Sequence, residues 1–396
     1  MAIMTNKYFG LAVIISMGLL FSCKDQNTQK ETPLVQYDEV PSTLPIDRLN
    51  LRQGFKIEVY ADSIDGARSM AMGENGTLFV GTRNENKVYA IQDRDNDFRA
   101  DRVMVLDSLE VPNGIAYKDG ALYVAEVGRL LRYDDIESKL DELPSPEVVY
   151  DDYPTEFHHG WKYIAFGPDG KLYVPVGAPC NICDSTVVDK RYASITRMDP
   201  DGSNREIYAH GVRNTVGFTW HPETKELWFT DNGRDMMGDD VPPCELNRIA
   251  EQGQHFGYPF CHGGDVEDPE FGKRRPCSEF IPPVQQLGAH VAPLGVKFHS
   301  GKMFPELYKN HAFIAEHGSW NRSSKVGYKI SMVKLDDNEA VSYETFIDGW
   351  LDEESQERFG RPVDLLFLKD GSMLISDDFG DAIYRVSYVG DEVAMD

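Results

Sequence analysis

The sequence predicts an all-β protein, a six-bladed β-propeller over residues 46–396. Three observations predict it. An apolar strand, a tight turn and a second strand of Leu-Tyr-Val character recur six times. The turns are often Asp-Gly or Asn-Gly, which suit hairpins because both central residues take positive φ. No helical period separates the units. At 396 residues the chain can form one large all-β domain.

The units follow in order. "SMAMGENGTLFVGTRNENKVYAI" runs from Ser69 to Ile91 around Asn-Gly, and "NGIAYKDGALYVAEVGRLLRY" from Asn113 to Tyr133 around Asp-Gly. "KYIAFGPDGKLYVPVG" covers Lys162 to Gly177, with "SITRMDPDG" supplying a third strand. "VGFTWHPETKELWFTDNG" covers Val216 to Gly233, and the fifth unit runs from Leu294 to Gly318. "VDLLFLKDGSMLISDDFGDAIYRVSY" closes the series from Val363 to Tyr388. Tyr, Phe, Val and Ile favour pleated, half-buried surfaces. "GFKIEVYA", Gly54 to Ala61, is placed to become the outermost strand of the last blade and close the ring. A β-sandwich with coincidental turns is the alternative.

Residues 1–23 read as a lipoprotein signal peptide. Lys7 is its positive end, "YFGLAVIISMGLLFS" is too short for a spanning helix, and Ser22-Cys23 resembles a bacterial lipobox with Cys23 as the lipidated residue. Residues 24–45 are polar and read as a flexible tether. Lys24 is not aspartate, so the expected location is the outer membrane of a Gram-negative bacterium, facing periplasm or cell surface, held by the lipid alone.

Acidic residues number 65 against 40 basic ones, a net charge of −25. Such a chain repels nucleic-acid phosphates, and clustered acids suit a hard cation. Export favours disulfides. Cys180 and Cys183 can bridge within one loop, and Cys261 and Cys277 flank another, leaving Cys244. Asp184 follows Cys183 where covalent haem needs histidine.

In a propeller, residues just ahead of the apolar strands converge on the axis. His158 and His159 precede the third unit, and Arg213, in "HGVRNTVGFTW", precedes the fourth. A histidine near its ordinary pKa can take a proton, and a guanidinium inside a strand-rich stretch needs a polar or anionic partner. Asp231, Asp235, Asp239, Asp240 and Glu245 crowd the loop after the fourth unit, as a calcium site would. A second calcium candidate is Asp93, Asp95, Asp97 and Asp101 in "DRDNDFRAD", although Phe98 stands where a calcium loop turns at glycine.

Taken together, "HHGWKYIAFGPDGKLYVPVG", "HGVRNTVGF", "TDNGRDMMGDD…ELNRI", "HFGYP" and "GRPVDLLFLKDGSMLISDD" resemble the soluble glucose/sorbosone dehydrogenases, with the L-sorbosone branch nearest in flavour. The resemblance covers roughly residues 45–390. It implies an axial site holding pyrroloquinoline quinone (PQQ) and Ca2+, a small sugar or aldehyde substrate, and electrons passed to an external cytochrome or quinone pool. It gives His159 as catalytic base, with His158 where the glucose enzyme has aspartate. Arg213 matches the arginine at the quinone oxygens and Arg361 one that pairs with PQQ carboxylates. Arg322, Lys325 and His290 are further cofactor candidates. Axial calcium falls to Gly233, Arg234, Asp240, Glu245 and Phe256. Two rivals stand beside this reading: a calcium-dependent lactonase-type hydrolase, and a non-catalytic anchored propeller that binds glycans or proteins. Three arginines, Arg213, Arg361 and Arg322, favour an anionic cofactor.

Overall fold

The computed structural model describes residue 44 and residues 46–390; Cys23, the targeting segment and nearly all of the tether lie outside them. Six antiparallel sheets follow one another along the chain, with strands paired in chain order within each except for N-terminal strands added to the edges of blades 5 and 6, and form the blades of a β-propeller. Their innermost strands are Met70–Met72, Gly114–Lys118, Ala165–Phe166, Phe218–Trp220, Pro293–Phe298 and Pro362–Phe367.

The second strands, such as Leu78–Gly81, Leu172–Val176 and Met373–Asp377, are buried at every residue. That explains their continuous apolar runs: blades pack face to face, so neither side of these strands meets water. Outer strands such as Glu147–Tyr150 mix exposed and half-buried residues.

Phe55–Ala61 pairs with Ala382–Tyr388 as the outermost strand of blade 6, which joins the start of the propeller to its end. Phe55 anchors the closure edge-on against Phe304, Phe346 and Tyr388. Such aromatic pairs add roughly 0.5–1.5 kcal/mol each beyond area burial. Asn50–Leu51 adds a further strand to blade 5, against Glu339–Asp348. Two residues are too few to carry a sequence pattern.

The turns differ in type. At Asp119–Gly120 both residues take positive φ, 50° and 82°, as a two-residue hairpin turn requires. At Gly76, Gly170 and Gly371 only the glycine does. These three hairpins have longer loops, each closed by the same pair of backbone bonds: Gly73 to Thr77, Gly167 to Lys171 and Leu368 to Ser372, with the glycine N–H folding back inside. Loop length therefore selects the turn.

Blade 4 departs most from the repeat. Between Cys244–Ile249 and Gln285–Leu287 the chain makes an excursion with its own two-stranded ribbon, Cys261–His262 and Val266–Glu267. A disulfide joins Cys261 to Cys277 and another joins Cys180 to Cys183; Cys244 is free and buried. Among the described residues no helix is long and apolar enough to cross a membrane.

Candidate active site

Loops from several blades converge on one cavity of about 410 Å³. His159 and Arg213 both line it, together with His290, Arg361, Arg68 and Arg83.

His159 is buried and sits at φ 53°, a left-handed conformation uncommon for a side-chain-bearing residue. It lies against the end of a blade 3 strand. A Cβ on Gly177 would come within 2.6 Å of the His159 Cβ, so only glycine allows that approach. The Ala178 carbonyl, 2.9 Å away, can only accept, so Nδ1 carries the proton and donates to it. Nε2 is then the unprotonated nitrogen. Burial, with Arg213 and His158 nearby, holds the His159 pKa well below its ordinary value. At neutral pH this is a free-base imidazole with a fixed tautomer. The His158 ring lies beside it, tilted by 53°, at 4.0 Å between ring centroids.

Ala178 also ties the histidine to the arginine, because its N–H donates to the Arg213 carbonyl at 2.8 Å. The Arg213 side chain answers the question its sequence context raises. Its Nε donates to the Asn181 carbonyl and Nη1 to the Asn232 carbonyl. Nη2 donates to Asn181 Oδ1 and Asp235 Oδ2. Four of the five N–H donors are committed to protein oxygens, which fixes the guanidinium. Asn181 sits inside the Cys180–Cys183 loop, so the disulfide constrains the residue that holds the arginine.

The backbone ahead of blades 4 and 6 is fixed by one repeated device. Asp231, at the end of Leu227–Asp231, accepts from the Arg213 and Asn214 N–H groups at 2.8 and 2.6 Å. Asp377, at the end of Met373–Asp377, accepts from the Arg361 N–H at 2.8 Å. Arg361 then reaches the carbonyls of His317 and Gly318. Its guanidinium has no carboxylate at hydrogen-bond distance among the described residues. Arg68, just ahead of blade 1, donates to Asn113 and pairs with Asp378, which also accepts from His317.

A much smaller void, about 10 Å³, adjoins the cavity beside Gly233 and is lined by Asp231, Glu245, Phe256, Tyr258 and His262. Asp231 and Glu245 face each other in register across two strands. Burial pushes both carboxyls above the usual range, and Asp231 raises Glu245 further. Two buried carboxylates this close ionise together only with a cation between them.

Other sequence candidates fall elsewhere. Asp240 is exposed and pairs with Arg322, whose Nε also bonds the Asp239 carbonyl; each satisfies the other, and neither lines the cavity. Lys325 bonds Gln356 and is likewise absent from the wall. The Arg234 side chain pairs with Asp268, which also accepts from His262. His290 lines the cavity while its Nε2 bonds the Gly238 carbonyl. Phe256 packs on Phe229. On blade 1, Asp93, Asp95 and Asp101 bring ligand atoms within 4.8 Å of one another, without Asp97. The loop turns at Phe98, φ 67°, under the Arg385 guanidinium, so the absent glycine does not prevent the turn.

Arg68, Arg83, Asn181 and the Asp231/Asp377 device were not foreseen. Arg68 stands just ahead of a first strand, as Arg213 does, so the same positional rule reaches it. The device has a signal too: "FTD" and "ISD" end equivalent strands.

The fold and the cavity define a propeller with a cationic axial site carrying a neutral histidine. The chain belongs to the Glucose / Sorbosone dehydrogenase family, whose sequence model matches residues 117–345. It is 35% identical over 368 residues to an uncharacterized protein of Borreliella burgdorferi, covering 89% of this chain and 92% of that one. Among solved structures, the calcium structure of a Trichoderma reesei carbohydrate-active enzyme of family AA12 superposes with a TM-score of 0.79 at 19% identity, over 89% of this chain and all of that one, 100%. The holo form of the pyranose dehydrogenase PQQ domain from Coprinopsis cinerea gives 0.73 at 17% identity, over 86% and 97% of the two chains.

Proposed function

We propose that this protein oxidises a sugar, or a related aldehyde or alcohol of the sorbosone kind, with PQQ and Ca2+ as cofactors and an external electron acceptor. One observation carries the reading: a tautomer-fixed, unprotonated His159 shares a cavity with Arg213, Arg361 and Arg68. The residues suit the cofactors. PQQ bears carboxylates, and Arg361 offers a guanidinium fork without a carboxylate partner. Gly233, between the cavity and the Asp231–Glu245 void, suits a divalent cation through its carbonyl and those carboxylates. When bound, PQQ with calcium supplies a two-electron acceptor for the hydride equivalent leaving the substrate carbon.

The chain's own groups do the rest. His159 Nε2 accepts the substrate hydroxyl proton; its depressed pKa keeps it ready to do so at neutral pH. Ala178 holds its tautomer and spaces it from Arg213. The remaining Arg213 N–H stabilises negative charge that develops beside the base. The two disulfides accord with an exported protein, as the lipobox reading of Cys23 requires.

The test is reconstitution with PQQ and Ca2+, followed by dye reduction over aldoses and sorbosone. Turnover of one of these that requires both additions supports the reading. PQQ binding without any turnover removes this substrate class, and no PQQ binding returns the hydrolase and the binding propeller.

A further inference from the structure

Arg83 is the least committed cation of the cavity. It follows the second strand of blade 1, and its guanidinium lies over the Trp161 ring at 3.5 Å, with Phe157 at 5.7 Å. Among the described residues it has no hydrogen-bond acceptor, and its Nε is buried without a partner. The Trp161 Nε1 is buried and unpartnered as well. Both residues line the same cavity wall. Burial and then the neighbouring Arg68 lower the guanidinium to about 10, so it stays charged at neutral pH. The contrast with Arg213 is chemical: Arg213 has spent four of its five donors on protein oxygens, and Arg83 has spent none.

The side chain is half-buried, and its Nε is a buried donor without an acceptor, which is costly; Asp378 acts on the charge through space but accepts no hydrogen bond from it. The stack on Trp161 fixes the plane of the guanidinium but satisfies none of its N–H groups. A planar oxyanion with two acceptors side by side would satisfy the buried Nε together with an adjacent terminal N–H. We propose that Arg83, held flat on Trp161, is a carboxylate-binding residue of this cavity, recognising a carboxylate either of PQQ or of an acidic sugar substrate. This rests on the dehydrogenase reading for the identity of those two molecules, not for the anion site itself. An acidic-sugar ligand would make the substrate a uronate rather than a neutral aldose.

The experiment compares wild type, Arg83→Gln and Arg83→Lys as purified apo-proteins. Each is titrated with PQQ plus Ca2+, and separately with glucuronate, galacturonate and the matching neutral sugars, by calorimetry and tryptophan fluorescence. Loss of a charge-assisted bidentate contact predicts a drop of about tenfold or more in the affinity of Arg83→Gln for one carboxylate ligand, with neutral-sugar binding unchanged. Arg83→Lys, which keeps the charge but not the fork, falls between, and keeps the test usable if the glutamine variant is unstable. Loss confined to PQQ assigns the cofactor's carboxylate; loss confined to uronates assigns the substrate's. A wild type that binds uronate but not PQQ, with Arg83→Gln losing it, upholds the Arg83 site and removes the dehydrogenase reading. Variants that bind every ligand within twofold of wild type overturn the proposal, as does a wild type that binds neither PQQ nor uronate.

Discussion

The two halves of the cavity are built on opposite terms. In the wall from blades 3 and 4, polar groups are committed to each other: His159 to Ala178, Ala178 to Arg213, Arg213 to Asn181, Asn232 and Asp235. In the wall from blades 6 and 1, Arg361 rests on two carbonyls and Arg83 on an aromatic face. The saturated half is preorganised, so its groups need no rearrangement when charge develops. The unsaturated half crowds Arg68, Arg83 and Arg361 around the single carboxylate of Asp378, which among the described residues hydrogen-bonds only Arg68 and His317, and an anionic ligand can engage the other two guanidiniums. On the proposed reading, chemistry and binding are separated across one pocket.

The sharpest way to break this contrast is to exchange the losses. His159→Gln should lower turnover of the reconstituted enzyme by about 10²–10⁴-fold while leaving PQQ affinity within twofold. Arg361→Gln should do the reverse, weakening PQQ by about tenfold or more. Equal effects of both on binding would erase the division. Next come the two anchoring carboxylates. Asp231→Asn and Asp377→Asn should each cost about 1–3 kcal/mol in denaturant unfolding, because each disturbs buried backbone donors. Only Asp231→Asn should abolish stabilisation by calcium in a thermal melt, since only Asp231 faces a second buried carboxylate.

A pH titration separates the halves further. His317, beside Asp378, Arg361 and Arg68, is pushed down to about 4 by burial. The unfolded chain takes up a proton near 6.5 that the folded one refuses, so stability is full above about 6.5 and falls as pH drops towards 4. His317→Gln should flatten this slope in urea melts at stepped pH; an unchanged slope would assign it to the other buried histidines. The smallest effect is expected from Asn181→Ala, about 1 kcal/mol in stability, with a modest loss of turnover and no change in PQQ affinity.

Much of this was legible in the chain. Blade turns are local chemistry, so "KDGALY" gives its hairpin away, and the closing strand shows in "GFKIEVYA". Fourth strands such as Glu147–Tyr150 were illegible, because half-exposed edges carry no apolar run. At the site, position ahead of a first strand identified His159 and Arg213, which the structure brings to one cavity. It did not reveal that Asp240 and Arg322, 82 residues apart, cancel each other. Nor did it expose Arg83, since an arginine after a strand in "GTRNEN" reads as an ordinary solvated loop residue. Pairing across blades decides which charges remain free, and no local pattern encodes it.

The most direct test is an absorption titration of the apo-protein with PQQ in the presence of calcium. The account predicts saturable binding of one PQQ per chain, weakened by Arg361→Gln and untouched by His159→Gln. No spectral change at PQQ well above the protein concentration would contradict it.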